Sequence, residues 1–102
     1  MSTSDESRTE ALSAEEVVER RAATGRNRAI AVWAAGKMDL NPDSTELYAQ
    51  AVENFHSERP TEEDVIRKIY GDLIASNLSV RESEVRTKAA EFLAQAREAL
   101  KG

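Results

Sequence analysis

The amino-acid sequence predicts an all-α protein, a four-helix bundle preceded by a disordered amino-terminal arm. Ala, Glu, Arg and Leu, all good helix formers, dominate the 102 residues, which include only two prolines and four glycines. Apolar residues recur every three or four positions, and the period-two alternation of strands is missing. Four helix-start signals divide the chain. We therefore expect a flexible arm over residues 1–14 and a four-helix domain over 15–102.

Each start signal is a capping residue followed three positions later by an acid, so that two amide donors are satisfied reciprocally. The pairs are Ser13 with Glu16, Asp43 with Glu46, Thr61 with Asp64 and Ser79 with Glu82. They predict helices near 15–39, 43–58, 61–77 and 80–101. Asn77 is the expected carboxyl-terminal cap of the third helix, because Asn tolerates a left-handed backbone.

Apolar stripes predict the face that each helix buries. The stripes are Ile30, Trp33 and Leu40, with Ala29 and Val32 beside them; Leu47, Ala51 and Phe55, flanked by Tyr48 and Val52; Val65, Ile69 and Leu73, with Ile66, Tyr70 and Ile74 as the neighbouring ridge; and Val85, Ala89, Phe92, Ala96 and Leu100. We expect Trp33, Phe55, Ile69, Leu73 and Phe92 to belong to the core.

The sequence pattern for ordered helix is weaker in two stretches of the chain. Gly25 interrupts the first helical pattern, so the helix is predicted firmly from about Asn27 to Asp39 and rests on a weaker pattern over 15–26. Residues 1–12 offer almost nothing to bury and are expected to be disordered.

The chain shows no pattern typical of an enzyme. It has no cysteine, which excludes disulfides and thiolate zinc sites and fits a reducing compartment. His56 is the only histidine, so neither a metal site nor an activated nucleophile is expected. We expect no export signal, and because no apolar run approaches about 20 residues, we expect no direct membrane insertion.

Charge is distributed unevenly along the chain. The net charge of −5 argues against nucleic-acid binding, yet residues 20–37 carry five cations and no acid. Such a block is usually a solvated face, and its functional alternative is a docking stripe for an acidic partner or a phosphate. Trp33 is interpreted as a core anchor or as the wall of a shallow pocket. In the second case Arg26, Arg28 and Lys37 would supply charge for ATP or ADP, and no other cofactor is expected.

Several parts of the chain from residue 15 onward share their order and spacing with one known family. They are Glu15-Glu16 through Arg26-Asn27-Arg28, the run Val32-Trp33-Ala34-Ala35-Gly36-Lys37-Met38, Tyr48-Ala49 with Val52, the stretch Glu63 to Lys68, Asp72-Leu73, and the region from Ser79 to Arg86. In these parts the chain resembles the zeta subunit, the small inhibitor of alphaproteobacterial F-type ATP synthases. The most specific likeness is to the family's Arg-Asn-Lys…Leu-Trp-Ala-Ala-Glu-Lys-Leu segment.

The resemblance implies a regulator whose amino-terminal arm enters a catalytic interface between α and β subunits of the synthase head and blocks ATP hydrolysis. The arm residues would be Asp5, Glu6, Arg8, Glu10 and Leu12. The implied partner is the catalytic head, made of α, β and γ subunits. The implied protein is a cytoplasmic monomer, peripheral to the inner membrane through the synthase.

The arm departs from the family pattern. Family arms carry a Phe-x-Asp-Arg-Glu…Ala-Phe-Glu…Phe-Ala run, whereas residues 3–12 contain no Phe and Leu12 is their only sizeable apolar residue. Burial of two or three aromatic side chains would contribute several kcal/mol to binding, at about 25 cal/mol per Å² of apolar surface, and the arm lacks this contribution. The resemblance therefore implies weaker inhibition than in members with aromatic arms.

Overall fold

The computed structural model describes residues 13–58 and 61–101. Within them lie four helices, α1 (Ala14–Lys37), α2 (Pro42–Glu58), α3 (Glu62–Ala75) and α4 (Glu82–Lys101), and no strand. The helices pack as a bundle in which α1 contacts each of the other three. The predicted all-α four-helix fold is confirmed, whereas the expectation of a disordered arm falls on residues 1–12 and lies outside the described part of the chain.

Helix α1 runs without a break through Gly25. Its start is the predicted capping box: the Glu16 amide donates to Ser13 Oγ and the Ser13 amide donates to Glu16 Oε1, both at 3.1 Å. The helix predicted near 15–39 therefore includes its weakly patterned first half. A single glycine costs only about 1 kcal/mol in a helix, and this capping together with packing on α4 offsets it.

Helix α2 begins at Pro42, one residue before the predicted range 43–58, and Asp43 lies inside the helix instead of capping it. The Ser44 amide donates to Asn41 Oδ1 at 2.8 Å, so Asn41 is the capping residue. Proline favours the first helical position, where its missing amide is not needed and its φ is preset. This preference places the cap before Pro42.

The other two predicted starts have different outcomes. Thr61 caps α3 as predicted and accepts a hydrogen bond from the Asp64 amide at 3.2 Å. Ser79 does not cap α4, which begins later, with the Val85 amide bonded to the Arg81 carbonyl at 3.4 Å. The capping pattern at Ser79 was present in sequence but was not used.

Helices α1 and α3 both end two residues before the predicted limits, and the second residue after each end has a left-handed backbone. Asn77 has φ 63° as expected, and the Leu78 amide donates back to the Leu73 carbonyl at 3.2 Å. Asp39 ends α1 in the same way, with φ 60°. These reversals satisfy helix-end carbonyls and set the direction of the following segment.

The core forms along one side of α1, where Ile30 and two alanines face the other helices. Its buried cluster is Ile30, Ala31, Ala34, Ala49, Val52, Val65, Ile66, Ile69, Leu73, Val85 and Ala89. Ile69 and Leu73 are fully buried as predicted, and Trp33 and Phe92 are partly buried against the cluster. Phe55 is also only partly buried and is not among the residues packed on this cluster.

The predicted stripe of α2 was wrong by about one position. Leu47 is 67% exposed and Ala51 is exposed, whereas Ala49 and Val52 are fully buried. Two apolar stripes overlap on this helix, and periodicity alone could not choose between them. Ala49 and Val52 belong to the same buried cluster as Ile30, Ala31 and Ala34 of α1.

Candidate functional site

Arg26, the first residue of the predicted basic stripe, is buried rather than presented to solvent. Its side chain is 5% exposed, and its Nη1 lies 2.6 Å from Glu62 Oε2 at the start of α3. Its Nε donates to Asn27 Oδ1 at 3.0 Å, and Asn27 is itself 1% exposed. This guanidinium therefore links α1 to α3 from within the bundle.

Arg28 lies on a different side of α1 and pairs with α2. Its Nη2 donates to Glu46 Oε1, and its Nη1 lies 3.7 Å from Glu53 Oε1. The guanidinium holds the pKa of Glu46 below its usual range, chiefly through this hydrogen bond. Because Arg28 is about half exposed, the pairs contribute little individually.

Lys37 and Trp33 are adjacent, at the carboxyl end of α1. Lys37 Nζ lies 5.5 Å from the centroid of the Trp33 ring and 3.4 Å from Glu84 Oε2 on α4. The ring is partly buried and the ammonium is exposed. A flat ring beside a cation is chemically suited to an aromatic anion, although Glu84 already neutralises part of that charge.

The structure thus brings Trp33 and Lys37 together but separates them from Arg28. Arg26 shares their side of α1 by helical spacing, yet its charge is directed to Glu62. The three cations pair with three different helices, so they form no continuous basic surface. Nucleotide binding by this set of residues stays a prediction.

Sequence reasoning missed the groove between α1 and α4, with a volume of about 370 Å³. Arg21 lies at one end, and its walls include Gly25, Ala29, Phe92 and Leu100. Arg21 is exposed and makes no ion pair with any residue in the described ranges. The acid-free stretch of residues 20–37 was the available signal, but it could not show which of its cations were already paired.

The predicted arm residues Asp5, Glu6, Arg8, Glu10 and Leu12 lie outside the described residues. The structure does describe the point where that segment joins the bundle, at the capped start of α1. Close to this point Arg97 of α4 binds Glu19 through two nitrogens, with Nη2 to Oε1 at 2.6 Å and Nε to Oε2 at 2.9 Å. The residues that follow the arm are therefore fastened to α4.

A small polar cluster joins α2 and α3 on another side of the bundle. Tyr48 donates to Asp72 Oδ2 at 2.7 Å, and Lys68 Nζ lies 3.2 Å from the same oxygen. Burial, and then the hydrogen bond to Asp72, raise the pKa of Tyr48. The phenol stays protonated at neutral pH and does not act as a base. The cluster instead stabilises the contact between α2 and α3.

The described ranges contain neither a metal site nor a membrane-spanning helix. Residues 13–58 and 61–101 contain no group of three or more His, Cys, Asp or Glu residues placed to hold a metal ion. None of the helices described above is long and apolar enough to cross a membrane.

Comparison with known proteins places the chain in a family. The family model of the ATPase inhibitor subunit zeta matches residues 3–99, which cover the capped start of α1 and all four helices almost to the end of α4. Comparisons with curated proteins and with solved structures gave no significant match. A match of this extent assigns both the amino-terminal segment and the bundle to one family. The chain belongs to the ATPase inhibitor subunit zeta family.

Proposed function

We propose that this protein is a regulatory subunit of the F-type ATP synthase that blocks ATP hydrolysis by inserting its amino-terminal arm at a catalytic interface between α and β subunits. The observation that carries the proposal is the family match over residues 3–99, because it includes the arm as well as the bundle. The target is the catalytic head, and the protein acts there as a monomer, in the cytoplasm and peripheral to the inner membrane.

The bundle supports this role by holding the arm at a defined place. Residues 1–12 lead directly into the capping box at Ser13, and Arg97 fastens the following turns to α4 through Glu19. An arm tethered to a bundle that contacts the same target binds at a raised effective concentration. The arm residues Asp5, Glu6 and Arg8 would supply charged contacts, and Leu12 the apolar one.

We further propose that inhibition is weak. Leu12 is the only large aliphatic or aromatic residue in the segment 3–12, so little burial is available to offset the ordering of the arm in a cleft. Exposed ion pairs contribute only about 0–1 kcal/mol each and weaken with salt. Charges on the arm therefore cannot replace two or three aromatic anchors.

The test is an ATP hydrolysis assay on the cognate synthase with four proteins: wild type, a variant lacking residues 1–12, the double variant Ser4→Phe with Leu12→Phe, and Ser83→Glu as a bundle control. The double variant is expected to inhibit more strongly than wild type, and the truncated protein is expected not to inhibit. Full inhibition by the truncated protein would refute the arm mechanism and move the active surface to the bundle.

A second candidate function is adenine-nucleotide sensing. The observation that favours it is the pairing of a cation with a ring, Lys37 Nζ lying 5.5 Å from the Trp33 centroid. Trp33 is the sole tryptophan, so its fluorescence reports directly on that place. Titration with ATP and ADP should change the fluorescence of wild type and not of Lys37→Ala. An unchanged spectrum together with no heat in calorimetry would exclude this role.

A further inference from the structure

The outer side of α1 carries a stripe of small and apolar residues that the other helices leave at least partly open. Val18, Gly25, Ala29, Val32 and Gly36 are separated by seven, four, three and four positions, which puts them on one side of the helix. Val32 is 46% exposed, and a Cβ atom added at Gly36 would meet nothing within 4 Å. This side does not face the core.

Helix α4 supplies the second wall of the groove beside this stripe. The two helices approach closely at Gly25, where an added Cβ would lie 3.4 Å from Ala96 Cβ. Phe92 and Leu100, one turn to each side of Ala96, flank that approach, and Leu100 is 39% exposed. The result is a groove with small residues at its floor and large apolar side chains at its edge.

This shape suits a helix better than a small molecule. Small-molecule sites combine an enclosed apolar pocket with several converging polar groups, whereas here Arg21 and Gln95 are the only polar residues among the described lining. Gly25, Ala29 and Ala96 would let a helix backbone approach to the usual packing distance of about 8–10 Å. Amphipathic helices commonly bind in such grooves through side chains at i, i+3, i+4 and i+7.

Charge indicates the kind of helix. Arg21 is exposed at one end of the groove and makes no ion pair in the part of the chain that the structure describes, whereas the charge of its neighbour Arg20 acts on Glu16 one turn away. From Arg20 to Lys37, α1 has no acid. A helix bound here is favoured if it carries an acidic residue at the level of Arg21, because opposite charge at an interface selects partner and register.

We propose that the groove between α1 and α4 binds an amphipathic helix of the ATPase, with its apolar face on Gly25, Ala29 and Phe92 and an acidic residue against Arg21. This contact is separate from arm insertion and would hold the bundle on its target. The assignment of the helix to the ATPase rests on the proposed function, whereas the groove and its charge do not.

Affinity measurements on the full chain test the groove. Fluorescently labelled wild type, Arg21→Glu, Ala29→Glu and the control Ser83→Glu are titrated with the cognate ATPase at two salt concentrations. Arg21→Glu should raise Kd about tenfold and reduce its salt dependence, Ala29→Glu should raise Kd at least as much, and Ser83→Glu should leave it unchanged. Because Arg21 is exposed, its variant tests the groove even if Ala29→Glu lowers stability.

Crosslinking identifies the occupant. The chain has no cysteine, so a single Ala29→Cys can carry a benzophenone, with Ser83→Cys as the matched control. A crosslink from position 29 to a helical segment of the ATPase supports the proposal. A crosslink to a second copy of the chain, or to its own residues 1–12, overturns it, and so does wild-type affinity in both Arg21→Glu and Ala29→Glu. If wild type itself does not bind the ATPase, the proposed function fails as well.

Discussion

The two halves of α1 are one continuous helix, yet different forces hold them. In the first half, Ala14–Gly25, Ala22 is the one buried residue, whereas six residues are buried in the second half, Arg26–Lys37. The second half forms the middle of the core and contributes Ile30, Ala31 and Ala34 to it. The first half depends on its capping box and on the Glu19–Arg97 pair with α4.

The difference shows that helix continuity and helix stability are separate properties. A helix of about 12–15 residues is marginal alone in water, so each half needs support from outside its own hydrogen bonds. Apolar burial supplies that support in the second half, and local capping with surface charge supplies it in the first. The half nearer the arm is therefore the one whose structure depends more on pH and salt.

The largest expected effect is a loss of stability that shows how tightly each half of α1 is packed. Ile30→Ala should lower the free energy of unfolding by about 2–5 kcal/mol, because Ile30 is fully buried and its truncation leaves a cavity. Val18→Ala, at a partly buried position of the first half, should lower it by about 1 kcal/mol or less. Urea denaturation followed by circular dichroism measures both, and equal losses would show that the halves are packed alike.

A smaller effect with the opposite sign is expected at the boundary between the halves. Gly25→Ala should raise the free energy of unfolding by about 0.5–1 kcal/mol, because alanine favours the helix. The new methyl group would meet Ala96 Cβ at 3.4 Å, an ordinary contact. Amide exchange should slow over residues 14–24 more than over 30–37. Destabilisation would mean that the approach of α1 to α4 leaves no room at this point.

The smallest effect concerns pH and is confined to the first half. The hydrogen bond from Arg97 lowers the pKa of Glu19, and the hydrogen bonds to Ser13 lower that of Glu16. Because both pKa values are lower in the folded state, this stabilisation is present above the unfolded value of about 4.3 and is lost as pH falls through the folded values.

Backbone chemical shifts recorded from pH 6 to pH 3 should therefore show loss of helix in residues 14–24 before residues 26–37. In Glu19→Gln, residues 14–24 should already have lost part of their helix at pH 6. Their further loss of helix as the pH falls should be smaller than in wild type. Loss of helix at the same pH in both halves of wild-type α1 would show that their stabilities do not differ in pH dependence.

Local signals predicted well what local interactions decide. Ser13, Thr61 and Asn77 have the predicted roles because capping involves only neighbours three to five residues away. The buried side of α2 could not be predicted, because Leu47 and Ala49 lie on competing stripes and the choice depends on the shape of α1. The start of α2 was misplaced for a local reason instead, because Pro42 takes the first helical position and Asn41 caps it.

The candidate site was harder to predict because it depends on contacts between distant residues. Arg26 pairs with Glu62, which is 36 positions away, and is buried, whereas Arg21 in the same basic block is exposed. Nothing in the order of residues 20–37 distinguishes the two. The groove beside Arg21 also depends on which face of α4 packs against Gly25, and that follows from tertiary packing.

The three cations of α1 that pair with α2, α3 and α4 also bear on the handedness of the bundle. Alanines cover much of the buried side of α1, and small uniform side chains accommodate neighbours on either flank with similar packing. Arg28 has its acids on α2, and Lys37 has its acid on α4. The mirror arrangement, with the flanking helices exchanged, would separate both pairs. Each pair is weak, but both favour the same arrangement, so charges that add little to stability can favour one hand of the fold over the other.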